Sequence, residues 1–137
     1  MGSEMCIRDR LINEIAPRTH NSAHFSIEAC SSSQFDQYVC ISSGIKPPEI
    51  KMNSQGSLMI NLLGLSKKFP LPIKKRLELL SQIRDSNLHW YGKSKESVGR
   101  KMAHITFLLN EDNHSKRIEK SKEIINKVRE IWPSPND

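Results

Sequence analysis

The sequence predicts an α/β fold, and three observations lead to that class. Short apolar runs of strand length alternate with longer segments whose apolar residues recur at helical spacing. Glycine, proline and Asn/Ser clusters separate these segments where a chain needs turns. A chain of 137 residues, 36% hydrophobic and 26% charged, is also the size of one domain, or of one domain plus the end of another, and can bury a modest core.

The first ten residues, MGSEMCIRDR, show no period and join abruptly to Leu11–Ile15, which reads as a strand already in progress. Residues 1–10 are therefore set aside as a foreign leader. Ser31–Gly44 predicts a helix: the serines suit an N-cap, Phe35, Tyr38 and Val39 fall at helical spacing, and Gly44 is a terminator. Lys46–Gly56, with Pro47-Pro48 and Asn53-Ser54-Gln55-Gly56, reads as a linker between two structural units.

Ser57–Leu63, ended by Gly64, is short enough and suitably flanked to be a strand. Pro70 and Pro72 open a helix running through Leu77, Leu80 and Ile83, since proline in the first turn forfeits no helical hydrogen bond. Asp85-Ser86-Asn87 ends it. Leu88–Tyr91 and Arg100–Leu108 read as strands around a charged connection, Lys93–Gly99. Ile118, Ile125, Val128 and Trp132 mark one face of a last helix, capped near Asp112 or Asn113 and stopped by Pro133.

The net charge of +6 would suit a nucleic-acid or phosphorylated partner, but Lys116–Arg129 interleaves its basic residues with glutamates and reads as a solvated helix face. Three cysteines, Cys6, Cys30 and Cys40, form neither a CxxC pair nor an even set, so neither zinc nor a disulfide framework is indicated and a reducing cytosol fits. No run approaches the ~18 apolar residues of a membrane-spanning helix.

Two clusters could carry chemistry. Asn13–His24 packs Glu14, Arg18, His20, His24 and two asparagines into one short segment. A carboxylate at a strand end can ligate Mg²⁺ through hard oxygen, and an arginine beside it can stabilise a phosphoryl or carboxylate group. A surface Glu14–Arg18 pair in an asparagine-shaped turn accounts for the same residues, and spacing alone leaves both readings open. Zinc on His20 and His24 is the weaker idea, because the HExxH glutamate is missing. The second cluster sets Lys93 at the end of one strand and Arg100-Lys101 at the start of the next, where they could face a phosphate monoester. An ordinary solvated basic hairpin is the plainer reading of that pattern.

Together the clusters resemble the C-terminal part of N5-carboxyaminoimidazole ribonucleotide synthetase, an ATP-grasp ligase family of purine biosynthesis. Asn13–His24 is similar to its NEIAPRPHNSGH motif; Ile27-Glu28-Ala29-Cys30 and Ser33-Gln34-Phe35 continue the match. Met59–Gly64 resembles MVNLLG, and the second cluster resembles YGK and GRKMGH. The resemblance covers essentially Leu11 onward, in order. It implies the end of an ATP-grasp domain over 11–44, a linker over 45–56, and a small C-terminal domain of strands with packing helices over 57–137.

It further implies a reaction in which ATP, Mg²⁺ and bicarbonate form carboxyphosphate, which carboxylates the amine of 5-aminoimidazole ribonucleotide. By resemblance Glu14 is a Mg²⁺ ligand, Asn13 lies beside it at the nucleotide, and Arg18 is the catalytic cation at the carboxyphosphate. His20, Asn21, Lys93, Arg100 and Lys101 line the ribonucleotide site, with the cations on its 5′-phosphate. The family suggests a cytoplasmic homodimer with a small-molecule substrate and neither a nucleic-acid nor a membrane partner. Thr19 and Ala23 depart from the motif's proline and glycine, and Ser97-Val98 stand where Arg-Pro is usual, leaving Lys95 as the nearby cation. A second Mg²⁺ glutamate belongs upstream of Glu14, within the leader, and Glu4 does not replace it; the isolated chain is therefore expected to lack turnover. The alternatives are another ATP-grasp ligase, which should lack the YGK and GRK pairing, and a basic nucleic-acid-binding module.

Overall fold

The computed structural model describes residues 15–65 and 69–135. The strand expected at Leu11–Ile15 lies almost wholly outside them, as do the leader, Asn13 and Glu14. In chain order the elements are a 3₁₀ turn at Asn21–Ala23, then α1 (Ser26–Ala29), α2 (Gln34–Ser42), β1 (Gly56–Leu63), α3 (Ile73–Ser81), β2 (Ser86–Trp90), β3 (Lys101–Leu109) and α4 (His114–Ile131). The short α1 carries none of the sequence signals used above, since four residues are too few to show a period.

Local chemistry explains the ends of α2. Ser33 accepts from the Asp36 amide while the Asp36 carboxylate accepts from the Ser33 amide, a reciprocal cap. The Ser33 amide, and after it the Ser33 hydroxyl, donate to the Asp36 carboxylate and hold it below its ordinary range. At the other end Gly44 has φ +69, and Gly44 and Ile45 donate back to Ile41 and Cys40, closing the helix as only a left-handed residue allows. The apolar residues of α2 remain outside the core: Phe35, Tyr38, Val39 and Ile41 are all exposed.

The other helices keep their predicted places with adjusted ends. Pro72 is the N-cap of α3 rather than its first helical residue. Asp85, with φ +58, turns the chain into β2, a conformation that aspartate tolerates better than most residues. Asn113 caps α4 by accepting from Ser115. Ile118, expected on the buried face of α4, is 43% exposed, whereas Ile124 packs against the core beside Ile125 and Val128. The core begins one turn later than the pattern implied.

The three strands form an antiparallel sheet in the order β1-β3-β2. Because side chains alternate between faces, the register sorts them by row. Ile60, Ile105 and Leu88 form one row, which packs with Leu80 of α3 and Val128 and Trp132 of the α4 end. Asn61, His104 and His89 form the next row, on the opposite face. A bulge between Leu62 and Leu63 gives β3 one extra residue, Met102, which is fully buried.

Candidate functional site

The polar face of the sheet meets the turn that carries the first cluster. His20 shapes this turn: its Nδ1 accepts from the Ser22 amide at 3.3 Å and lies 2.7 Å from Ser22 Oγ. Gln34, at the start of α2, clamps it from behind. The Gln34 carbonyl oxygen accepts from the His20 amide at 2.7 Å, and its amide nitrogen donates to the His20 carbonyl at 2.9 Å and meets His24 Nδ1 at 2.6 Å. A segment without a regular period is thus held by one side-chain amide.

Three imidazoles gather where the turn meets the sheet. His89 and His104 stack with centroids 4.5 Å apart and planes 12° off parallel, and His24 lies 5.2 Å from His104. Glu28 of α1 reaches His89 Nε2 at 2.5 Å, joining the turn-bearing segment to β2. The Tyr91 hydroxyl lies 2.7 Å from His104 Nδ1. Burial raises the Tyr91 phenol above its ordinary range. Burial, with His89 and His24 adding to it, pushes His104 down to about 4, so this imidazole is neutral at physiological pH. His24 is also lowered, first by burial and then by Lys101, His89 and His20.

Of the cations, Lys93 donates to the Lys101 carbonyl and stands 5.4 Å from the centre of the Tyr91 ring. Lys101 lies close enough to His24 to depress its protonation. Arg100 is exposed, with its guanidinium on the Lys95 carbonyl at 3.1 Å. Arg18 is exposed and donates to its neighbour's carbonyl, Thr19, at 3.3 Å. The structure therefore brings His20, Asn21, Lys93 and Lys101 into one region, whereas Arg18 and Arg100 engage their own segments. A cavity of about 510 Å³ opens beside them, lined by His20, Asn21, Ser22, Phe25, Ser57, Met59 and Asn61. The buried Asn61 Oδ1 has no hydrogen-bond partner among the described residues.

The connection bearing Lys93 and Arg100 is anchored at two points. Gly99 donates to the Gly64 carbonyl and Gly64 donates to the Arg100 carbonyl, at 3.0 and 2.7 Å. A Cβ on Gly64 would stand 2.1 Å from the Ser97 carbonyl oxygen, so only glycine permits this approach. Glu96 forms the second anchor, accepting from Arg76 twice and from the Leu65 amide.

The sequence reading assigned no site role to Glu28, Gln34, His89, Tyr91 or His104, although the last three belong to its second cluster. His89 and Tyr91 are two apart and share a strand face, but nothing local says that His104 stands beside them; that follows from the β2–β3 register. Among the described residues no group of three or more His, Cys, Asp or Glu could hold a metal ion, and Cys30 and Cys40 are free thiols. No helix among them is long and apolar enough to cross a membrane.

Comparison with known proteins places this geometry. Residues 57–118 match the family model of the phosphoribosylaminoimidazole carboxylase C-terminal domain, and residues 1–35 match that of the ATP-grasp domain. The class is therefore the end of an ATP-grasp domain followed by this C-terminal domain. Within that class the chain belongs to the N5-carboxyaminoimidazole ribonucleotide synthase family and corresponds to its C-terminal part. The synthase of Synechococcus elongatus is 37% identical over 129 residues, covering 93% of this chain and 32% of the relative. The Staphylococcus aureus synthetase complexed with ADP superposes with a TM-score of 0.66 at 36% identity, covering 87% of this chain and 30% of that one. The Aspergillus clavatus synthase in complex with ADP and 5-aminoimidazole ribonucleotide gives 0.64 at 28% identity, covering 81% and 29%. The chain spans about a third of the length of the curated relatives it matches.

Proposed function

We propose that this chain supplies the ribonucleotide-binding side of an ATP-dependent carbon–nitrogen ligase that carboxylates 5-aminoimidazole ribonucleotide to its N5-carboxyamino form. One observation carries the reading: the two clusters, distant in sequence, meet where the His24 ring stands edge-on to Tyr91, which Lys93 flanks, near a cavity lined by His20 and Asn21. A phosphorylated ribonucleotide needs cations for its phosphate and neutral donors and acceptors for its sugar and base. Lys93 and Lys101 offer the first, and His20, Asn21 and Asn61 the second. Arg100 would join them by leaving the Lys95 carbonyl, an exposed hydrogen bond that costs little to exchange.

ATP would supply the phosphoryl group that activates bicarbonate as carboxyphosphate, leaving ADP, with Glu14 holding the Mg²⁺ that neutralises the phosphates and Asn13 the nucleotide. Arg18 is the cation we assign to the carboxyphosphate, and its exposed position leaves it free to swing toward that charge. Glu14 and Asn13 lie outside the described residues. The same reading takes the protein to be a cytosolic homodimer without a nucleic-acid partner, and residues 11–44 to be the ATP-grasp portion.

Titration of 5-aminoimidazole ribonucleotide into the folded chain tests the proposal. Binding that weakens by about tenfold or more in both Lys93→Ala and Arg100→Ala supports it, as expected for loss of a charge-assisted phosphate contact. Absence of binding to the folded wild-type chain, or binding indifferent to both substitutions, would overturn it.

A further inference from the structure

We infer that Arg76 is a positioning residue for the phosphate end of the ribonucleotide site: by holding Glu96 in the core, it keeps the one carboxylate of the Lys93–Lys101 connection away from that connection's own cations. The inference rests on the function proposed above. Glu96 is the only acidic residue between Tyr91 and Asn110, and in sequence it stands among Lys93, Lys95, Arg100 and Lys101. A carboxylate free to turn outward there would pair with one or two of these cations and cancel the charge that a phosphate needs.

The observed arrangement is the opposite. Gly92 and Gly99, with φ +66 and +75, turn the chain at the two ends of the connection, and Gly99 and Arg100 are fastened to Gly64 through backbone hydrogen bonds. Between these ends Glu96 faces inward. Its Oε1 accepts from Arg76 Nη1 at 3.0 Å and from the Leu65 amide at 2.8 Å, and its Oε2 accepts from Arg76 Nη2 at 2.7 Å. Arg76 is fixed in turn by the Leu71 carbonyl and by the Phe69 and Trp132 rings, whose centres lie 5.5 and 4.1 Å from its guanidinium. Outside, the cations rest on neutral oxygens: Lys93 donates to the Lys101 carbonyl, and Arg100 to the Lys95 carbonyl at 3.1 Å. None of the four cations has a carboxylate partner among the described residues. A phosphate displaces an exposed carbonyl contact at little cost, whereas a carboxylate would compete with it.

The test compares 5-aminoimidazole ribonucleotide with its riboside, which lacks the phosphate, by titration into the folded full chain. The wild type should bind the ribonucleotide about tenfold or more tighter than the riboside. In Arg76→Met the freed Glu96 should remove about tenfold of the ribonucleotide affinity and leave riboside binding unchanged, whereas a merely structural role would weaken both. Adding Glu96→Met should restore ribonucleotide binding to within about threefold of wild type. Arg76→Lys keeps the buried charge without the two-pronged contact; it should fall between wild type and Arg76→Met, and it replaces Arg76→Met if that chain does not fold. Wild-type preference for the ribonucleotide in the folded Arg76 variant, equal losses for both ligands, or no recovery in the double variant overturns the inference. If the wild type binds neither ligand or does not distinguish them, the functional reading falls. Inorganic phosphate then decides the role of Arg76: it should shift the Gly99 and Arg100 amides in the wild type and the double variant but not in the Arg76 variant, and equal responses in all three overturn the inference.

Discussion

Arg76 and Glu96 form a two-pronged ion pair, with both guanidinium amino groups donating to the carboxylate at 3.0 and 2.7 Å. The Arg76 side chain is 2% exposed; its Nε donates to the Leu71 carbonyl, and its guanidinium lies 4.1 Å from the centre of the Trp132 ring. Each of the three guanidinium nitrogens thereby donates one hydrogen bond, and the paired carboxylate makes the buried charge tolerable. The pair ties α3 and the C-terminal end of α4 to the connection that carries Lys93 and Arg100.

Removing one partner leaves the other charge buried. Arg76→Ala should destabilise the fold by about 3–5 kcal/mol. The double variant Arg76→Met/Glu96→Met should lose less, because no uncompensated charge remains. Urea unfolding of the three proteins checks the order; an Arg76→Ala chain as stable as wild type would contradict it.

Gly64→Ala should separate the connection from β1, since the new Cβ meets the Ser97 backbone oxygen rather than a side chain that could rotate away. We expect a loss of about 1–3 kcal/mol, as for other overpacked sites. Amide exchange at residues 96–100 should accelerate while that of β3 changes little. Uniform acceleration over both segments would argue against a local effect.

Glu28→Ala should loosen the turn-bearing segment from the sheet, because it removes the charge-assisted contact to His89 across a part-buried interface. A loss of about 1.5–3 kcal/mol is expected. The His89 ring resonances should shift and the Asn21–Ala23 turn should become less protected, both readable by NMR. Unchanged protection there would show that Gln34 alone holds the turn.

Acid should weaken the imidazole cluster before it touches the carboxylates. The folded pKa of His104 is about 4 against an ordinary 6.5, so the unfolded chain binds the extra proton in between and stability must fall as pH drops from about 6.5 to 4. Above that window the contribution is fully present. His24, lowered in the same direction, adds to the slope. The loss should be on the order of 2–3 kcal/mol by pH 4. Denaturant midpoints from pH 7 to 4 measure it, and His104→Asn should flatten the profile; an equally steep fall in that variant would assign the effect elsewhere.

The features legible in one dimension are local or lie in contiguous motifs. The Ser33 and Gly44 ends of α2, the Asn113 cap, the short apolar strand before Gly64 and the proline-led α3 depend on residues a few positions apart, and their signals survive in one dimension. The family was legible for the same reason, since Asn13–His24, Tyr91-Gly92-Lys93 and Gly99-Arg100-Lys101 are contiguous strings. Tertiary structure alone decided which of these residues meet. The β1-β3-β2 register sets Asn61, His104 and His89 in one row, and the packing of α1 on β3 brings Glu28 and His24 onto it. The same packing left Phe35, Tyr38 and Val39 exposed although their spacing is that of a buried face. A period states which residues share a side of an element, but burial and hydrogen bonding depend on what stands opposite. In a sheet, a shift of one residue would exchange the faces completely.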